Sequence, residues 1–421
     1  MYDKIISLAI FVIAYILFIA WPRRRMYVAI TGALLLILTG AISTKDAFFS
    51  INWNVMGIFV GTLALAESFM RSKVPAFLAE EIVDRSKSTG WAILFICIFT
   101  GLISAFVENV ATVLIVAPIA LALAKKLEIN PVNMMIAIAI SSNLQGTATL
   151  IGDPPSMLLG GFAKMNFFDF FFFHGKPSIF FAVEIGALAS FVFLYFLFKK
   201  HSQKMKLVKI EKVSSWVPTI VLVSLIVLLA SSSFFDAGFS YSGIICMALG
   251  IFSFFWEKIV NKSSLRKDLK EMDWETTFFL MGIFVIVGSI TITGWIETAS
   301  NLLSGWIGGN VLLGYILIIS ISVALSAFID NVPFLVTMLP LVMSITEKLG
   351  ISPYLFLFAL LTGASVGGNI TPIGASANIV ACSILRKNGY NVKFGHFVKI
   401  GLTLTIIAVT SASIFVWFVW S

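Results

Sequence analysis

The chain has 421 residues, of which 59% are hydrophobic and only 12% are charged, and its mean hydropathy is +1.00. Soluble globular proteins carry about 25% charged residues, so this composition excludes a soluble fold and indicates an integral membrane protein. The net charge of +8 does not indicate nucleic-acid binding, because the basic residues lie in short loops between apolar segments, where they set membrane topology.

Five membrane crossings and one hairpin are predicted in the first half. The crossings cover about 4–21, 26–42, 53–70, 133–163 and 178–198, since a span needs about 20 apolar residues. Glycine and proline interrupt the fourth. A double apolar stretch at 91–124 breaks at Glu108-Asn109 without a loop long enough to reach water. We therefore predict a re-entrant hairpin that is buried in protein.

The second half repeats this order. Crossings are predicted at about 216–232, 240–256, 274–293, 353–385 (interrupted) and 397–420, with a second hairpin at 311–347 that breaks at Asp330-Asn331. Two full crossings are the alternative for each double stretch. A hairpin and a pair of crossings return the chain to the same side, so the predicted topology does not depend on this choice.

Two motifs recur 222 positions apart. Ser104-Ala-Phe-Val-Glu-Asn-Val110 returns as Ser326-Ala-Phe-Ile-Asp-Asn-Val332, and the Gly146–Gly152 segment returns as Gly368–Gly374. Five crossings per half is an odd number, so the second half enters from the opposite face. The predicted fold is an all-α integral membrane protein, an inverted repeat of two five-span halves, each with a re-entrant hairpin and a broken helix. Its parts are a first repeat at 1–200, a basic cytoplasmic linker at 201–215 and a second repeat at 216–421.

Lysine and arginine set the predicted orientation. If both termini are outside, all of the 29 lysines and arginines lie in inside loops except Lys4, Lys45, Lys164, Lys176 and Lys348. This bias follows the positive-inside rule. We therefore predict a multi-pass protein of the cell membrane with its N- and C-termini outside. Its predicted partners are membrane lipid and a small-molecule or ion substrate, and not nucleic acid.

The two interrupted crossings carry polar residues that a lipid-spanning helix lacks. Glycine and proline free the backbone and leave carbonyls unpaired, and the neutral oxygens beside them suit a hard cation such as sodium. Half-helix N-termini suit an anion. A structural proline kink is the alternative, but two matching breaks, each beside a charged hairpin tip, favour a binding site. The candidate residues are Asn143, Gly146, Thr147, Thr149, Gly152, Asp153, Ser365, Gly368, Asn369, Thr371, Gly374, Ser376 and Asn378.

The hairpin tips add Glu108 with Asn109 and Asp330 with Asn331. A carboxylate at membrane depth is costly unless it is paired or hydrated, so Glu108 and Asp330 are predicted to carry or balance a coupling ion. The alternative is that each carboxylate caps the half-helix that follows it, which is compatible with an ion-binding role.

Asp153 has no acidic counterpart, because the second half has Ala375 at the equivalent position. Asp153 is either a substrate-selecting residue or a cap for the helix that begins at Pro154. No metal cluster or organic cofactor is predicted. Sodium ions are the one candidate, and their candidate ligands are Asn109, Thr149, Gly152, Asn331, Thr371 and Gly374.

At these residues the chain resembles the ion transporter superfamily, which includes arsenical pump membrane proteins, NhaD-type sodium/proton antiporters, the melanosomal P protein and the dicarboxylate or citrate carriers. The segment from Gly146 to Pro155 resembles the arsenical pump and P protein form of the first break. The tips Glu108-Asn-Val and Asp330-Asn-Val-Pro resemble the P protein and NhaD forms. The Ser-Asn-Thr hairpin motif of dicarboxylate carriers is absent. The resemblance implies a scaffold part, a transport part that moves like an elevator, and a homodimer.

The predicted function is secondary active transport that is coupled to sodium or protons and moves a small ion or anion. Sodium/proton antiport and efflux of arsenite or another oxyanion are the alternatives. A channel would share the polar interior without ion coupling. An enzyme is not predicted, because the apolar segments contain no histidine and no HExxH motif.

Overall fold

The computed structural model describes residues 2–201, 211–235, 238–260, 269–270 and 272–421. Most of the predicted linker at 201–215, namely residues 202–210, lies outside the described residues. The described residues form nineteen α-helices, three short 3-10 helices at Pro22–Arg24, Phe168–Phe170 and Gly368–Ile370, and two short strands. The predicted helical fold is confirmed.

The first half contains ten helices. They are α1 (Tyr2–Ala20), α2 (Arg25–Leu38), α3 (Thr44–Ser50), α4 (Trp53–Arg71), α5 (Val74–Arg85), α6 (Thr89–Ser104), α7 (Asn109–Lys126), α8 (Val132–Gly146), α9 (Pro154–Ala163) and α10 (Ile179–Phe198). The predicted hairpin is the pair α6 and α7, which are joined at Glu108. The predicted broken helix is the pair α8 and α9, which are separated by seven non-helical residues.

The second half contains nine described helices. They are α11 (Val217–Ser232), α12 (Gly238–Val260), α13 (Trp274–Ile292), α14 (Trp295–Ile307), α15 (Val311–Ser326), α16 (Asn331–Leu349), α17 (Tyr354–Gly367), α18 (Ser376–Lys387) and α19 (Phe394–Trp420). Their order matches that of the first half, except for α3. The opposite membrane direction of the two halves stays a prediction, because no membrane defines a direction here.

One departure from an all-α structure lies between α9 and α10. Phe172–Phe173 (β1) pairs antiparallel with Lys176–Pro177 (β2), around a turn in which Gly175 has a φ of +74°. The sequence analysis did not predict this hairpin, because a strand of two residues has no measurable alternation of polar and apolar side chains.

The helices pack as two groups, which we name after the scaffold part and the transport part that the resemblance implies; these two roles stay predictions. The scaffold group consists of α1, α2, α4, α11, α12 and α13, in which α4 packs along α12 and α2 packs along α13. The transport group consists of α6–α10 and α15–α19, in which each broken helix packs against its own hairpin and α10 packs along α19. Helix α7 of the first hairpin also contacts α18 of the second half, and α16 of the second hairpin contacts α9 of the first half. Both halves therefore contribute to each group.

The outer faces are apolar, as lipid requires. Eight helices are long and apolar enough to cross a membrane among the residues described, including α1, α4, α10 and α19. Side chains such as Ile16, Val223 and Ile244 are more than half exposed on the isolated chain. The molecule is therefore a multi-span membrane protein whose apolar surface contacts lipid.

Candidate functional site

Four helices of the transport group begin at one pocket. The N-terminal residues of α7, α9, α16 and α18 all line it, and its cavity volume is about 70 Å³. A space of this size admits a partly hydrated ion but is well below the 300–1,000 Å³ or so of an organic-ligand pocket. Seven residues predicted for the site line the pocket, namely Glu108, Asn109, Asn143, Asp153, Asp330, Asn331 and Ser376.

Carboxylates cap three of these four helices. Glu108 accepts a hydrogen bond from the Ala111 backbone N–H at 2.9 Å, and Asp330 accepts one from Val332 at 3.0 Å. Asp153 accepts from the Ser156 backbone at 3.0 Å. The capping interpretation of Glu108, Asp330 and Asp153 is thus confirmed. The ion-binding role of Glu108 and Asp330 and the substrate-selecting role of Asp153 stay predictions.

The fourth helix has no such cap. Ala375 precedes α18 in an extended conformation, and no side chain accepts a hydrogen bond at this helix end. The first helical residues, Ser376 and Ala377, line the pocket. The N-terminus of α18 therefore faces the cavity with its positive dipole end uncompensated by a carboxylate of its own.

The scaffold group supplies four further lining residues that the sequence analysis did not select, namely Arg25, Phe59, Asp273 and Thr276. Arg25 at the start of α2 forms an ion pair with Asp330 and donates to the Thr276 hydroxyl at 3.1 Å. Thr276 in turn donates to Asp273, the cap of α13, at 2.6 Å. Among the described lining residues, the pocket thus has four carboxyl groups and one guanidinium.

A cluster of backbone oxygens surrounds Gly152, beside the pocket. The Thr149 hydroxyl donates to the Ala105 carbonyl at the tip of the first hairpin. A Cβ atom at Gly152 would overlap the Gly146 carbonyl oxygen and would lie 2.8 Å from that of Ala105 and 2.9 Å from that of Ser104. Glycine is therefore required here because three carbonyls converge on the space that a side chain would take. We call these oxygens the first carbonyl cluster.

A second carbonyl cluster lies at the equivalent place in the other half. The Thr371 hydroxyl donates to the Ala327 carbonyl at 2.5 Å. A Cβ atom at Gly374 would lie 2.5 Å from the Gly368 carbonyl oxygen and 2.9 Å from that of Ala327. Each threonine hydroxyl donates its proton to a carbonyl, which leaves its oxygen able to accept. The Thr371 oxygen also accepts from the Ile373 backbone N–H at 3.4 Å, so one of its two lone pairs remains for a cation.

Three asparagines join the two broken helices. Asn143 in α8 donates to the side-chain oxygens of Asn369 at 2.9 Å and of Asn378 at 3.0 Å. Asn378 donates to the Gly368 and Thr371 carbonyls, both at 3.0 Å. The side-chain nitrogen of Asn369 and the hydroxyl of Ser365 are buried and have no hydrogen-bond partner among the residues that the structure describes. These two groups are polar atoms that a bound ligand or water would satisfy.

The remaining predicted residues hold the hairpin tip against the first break. Ser104 donates to the side-chain oxygen of Asn109 at 2.6 Å, and a Cβ at Gly146 would overlap that same oxygen. The Thr147 hydroxyl lies 3.3 Å from Asp153. The hairpin tip and the break are therefore bound to each other, which fixes Asp153 relative to the first carbonyl cluster.

Two features were missed for identifiable reasons. Arg25 and Asp273 stand at the ends of apolar helices, where charge is expected simply for topology, and nothing in the repeat distinguishes them. Glu184, which the sequence analysis did not select, accepts from the Gln145 amide at 2.9 Å, within the transport group. Only the packing of α8 against α10 reveals that contact.

Comparison with protein families gives one match. The model of the family described as "Citrate transporter" matches residues 15–346 and, in an overlapping segment, residues 269–421. Together these segments span almost the whole chain.

Curated relatives and solved structures are similar to this chain over most of its length. An uncharacterized transporter of Mycobacterium tuberculosis is 28% identical over 98% of both chains. The P protein of Mus musculus is 24% identical over 96% of this chain and 59% of its own length. The YdaH transporter of Alcanivorax borkumensis has a TM-score of 0.62 at 14% identity, over 91% of this chain and 87% of its own. The Neisseria gonorrhoeae efflux pump MtrF gives 0.60 at 14% identity, over 92% and 84%.

Proposed function

The chain belongs to the citrate transporter family and is a multi-span membrane transporter, and from this we propose that it is a secondary active transporter. In this proposal a sodium ion or a proton is the coupling ion, and a small ion or anion is the substrate. The observation that carries the proposal is the pocket that Glu108, Asp153 and Asp330 line from separate helix ends, with a carbonyl cluster beside each hairpin tip.

Sodium fits the two carbonyl clusters. Neutral carbonyl and hydroxyl oxygens hold a monovalent cation without the strong binding that would prevent its release. Thr149 with Gly152, and Thr371 with Gly374, are the ligating positions in the two clusters, and Asn109 and Asn331 lie at the adjoining helix ends. No three acidic, histidine or cysteine side chains in the described part of the chain come together to hold a metal ion, which disfavours a chelated divalent cation.

An anionic substrate has a place at the same pocket. The uncapped end of α18 and the guanidinium of Arg25 are its positive features. The name of the family model suggests citrate as a first compound to try. We propose that the transport group moves past the scaffold group like an elevator, and that two copies of the chain form a homodimer around their scaffold groups.

Sodium/proton antiport is the second candidate. Four carboxyl groups against one guanidinium, in a cavity of about 70 Å³, favour cations over a bulky anion. Efflux of arsenite through thiol capture has less support, because the described lining residues of the pocket include no cysteine.

The test uses purified protein in liposomes that carry an imposed pH gradient. Added sodium is expected to collapse the gradient, and Asp330→Asn is expected to abolish this response. Asparagine still caps α16, so the fold should persist. Glu347→Gln is the matched control, because Glu347 is an exposed carboxylate at the other end of the same helix.

Three outcomes are informative. A response that Asp330→Asn removes and Glu347→Gln preserves supports cation coupling at the pocket. If Asp330→Asn transports as well as the unmodified protein, the proposed role of this carboxylate is wrong. If sodium has no effect on the unmodified protein, citrate and oxyanions are tested next with a proton gradient as the driving force.

A further inference from the structure

Arg25 of the scaffold group forms an ion pair with the transport group. Its guanidinium pairs with Asp330, which belongs to the second hairpin of the transport group. Its other contacts are to the scaffold, where it donates to Thr276 at 3.1 Å and lies 5.1 Å from the centre of the Phe279 ring. Since Thr276 and Phe279 are on α13, which packs along α2, the position of Arg25 is set by the scaffold alone.

Asp330 is held by the other group. It caps α16 at 3.0 Å, so its position follows the hairpin. Its counterpart in the first hairpin, Glu108, has no ion pair among the described residues. It accepts from its own helix and lies near other carboxyls, those of Asp153 and Asp273. Among the described residues, Asp330 therefore has a protein cation, the Arg25 guanidinium, as its ion-pair partner, and Glu108 has no such partner.

We infer that Arg25 is an internal competitor for the coupling cation at Asp330, and that it acts only in the conformation in which the second hairpin tip faces α2. This inference rests on the proposed cation coupling and elevator movement. When the hairpin moves away, Asp330 leaves Arg25 behind and is free to bind sodium. When it returns, the guanidinium displaces the ion, because one partly buried carboxylate cannot pair fully with two cations in the same place.

The consequence is an affinity for sodium that depends on which side the site faces. Arg25 weakens sodium binding in the conformation of this structure, in which it pairs with Asp330, and so speeds release from that conformation. Removing Arg25 should then tighten apparent sodium binding while it slows turnover, because the ion is no longer expelled. Damage to the fold predicts the opposite change in affinity, so the two explanations are separable.

The variant Arg25→Gln should remain folded. Tyr15 of α1 donates to the Pro333 carbonyl at 2.6 Å and so provides a second, uncharged tie between the scaffold and the same hairpin. Arg25→Lys keeps the charge but loses the planar fork, and is expected to give an intermediate result. Arg24→Gln is the matched control, since Arg24 is the preceding residue and is exposed.

The experiment measures sodium-driven proton flux in liposomes as a function of sodium concentration, and sodium-dependent protection against thermal unfolding in detergent. For Arg25→Gln we expect a half-saturating sodium concentration that is about tenfold lower, because one charged hydrogen bond to Asp330 no longer competes with the ion. We also expect a lower maximal rate. Arg24→Gln should match the unmodified protein.

An unchanged or higher half-saturating concentration in folded Arg25→Gln overturns the inference and leaves cation coupling intact. If Arg25→Gln does not fold, Arg25→Lys decides in the same way: a lower half-saturating concentration supports the competitor role, and an unchanged or higher one overturns it. If the unmodified protein and Asp330→Asn respond identically to sodium, the proposed cation site itself is wrong, which is a distinct result.

Discussion

Replacing Gly152 with alanine tests the first carbonyl cluster directly. The change adds one methyl group and no charge, and it leaves every side chain of the pocket in place. The new Cβ would overlap the Gly146 oxygen and stand 2.8 and 2.9 Å from the oxygens of Ala105 and Ser104. Ordinary van der Waals contact begins near 3.4 Å, so each of these two carbonyls has to retreat by about 0.5 Å.

The expected cost follows from that displacement. Forcing an extra methyl group into a packed interior destabilises a protein by about 1–3 kcal/mol. A binding site also has to keep its ligands within about 0.5 Å of the productive geometry, so the same shift should weaken the cation site. We expect the half-saturating sodium concentration to rise about 10- to 100-fold, the effect of disturbing the surroundings of a metal ligand.

The assay is sodium-driven proton flux in liposomes, with the melting temperature in detergent as a measure of folding. Gly374→Ala is the equivalent change in the second cluster, where the Cβ would lie 2.9 Å from the Ala327 oxygen. Gly395→Ala is the control. It is a helical glycine of α19 with no atom within 4 Å of the added methyl group, and alanine there should be neutral or slightly stabilising.

One result would refute the reasoning. If Gly152→Ala and Gly374→Ala are destabilised but keep the unmodified half-saturating sodium concentration, the carbonyl clusters are packing features and not ion sites. If only one variant loses sodium dependence, a single cluster binds the cation and the other is structural.

Two further predictions concern residues outside the clusters. Burial raises the pKa of Glu80, a side chain of α5 that accepts from the Glu211 backbone, so the folded protein binds this proton more readily than the unfolded chain. Stability should therefore fall as the pH rises above the ordinary glutamate range, and Glu80→Gln should lessen that fall in melting curves recorded from pH 4 to 8. Asn143→Asp replaces the side-chain NH₂ group, which donates to the side-chain oxygens of Asn369 and Asn378, by a carboxylate oxygen. That oxygen cannot donate and would face two other oxygens. It should lower the free energy of unfolding by about 1–3 kcal/mol or more, as chemical denaturation in detergent would measure, and stability equal to that of the unmodified protein would contradict these hydrogen bonds.

The helices were predictable because most of the chain consists of apolar segments that span a membrane. Apolar runs bounded by charge or turn residues have few alternative structures in a membrane, so the predicted crossings agree with the helices to within a few residues. The breaks were predictable too, since glycine and proline cannot continue a helix beside unpaired carbonyls. The capping roles of Glu108 and Asp330 followed from their place just before a helix.

Contacts between segments that are distant in the chain were not predictable. The pairing of Arg25 with Asp330 spans 305 positions, and no local pattern connects an arginine at a helix start with a distant hairpin tip. The same holds for Asn143 with Asn369, and for the three carbonyls around Gly152. Backbone carbonyls leave no mark in the side-chain sequence beyond the glycine that makes room for them.

The sequence by itself determined the membrane environment, the order of the helices, the two hairpins and the two breaks, because each depends on local hydrophobicity and on glycine or proline at given positions. The tertiary structure alone decided which of these polar groups meet. It placed four helix ends at one pocket and gave Asp330 a positive partner from the scaffold, whereas Glu108 has none among the described residues. Charge pairing depends on distances of a few ångströms between segments that are far apart in the chain, and only packing sets those distances.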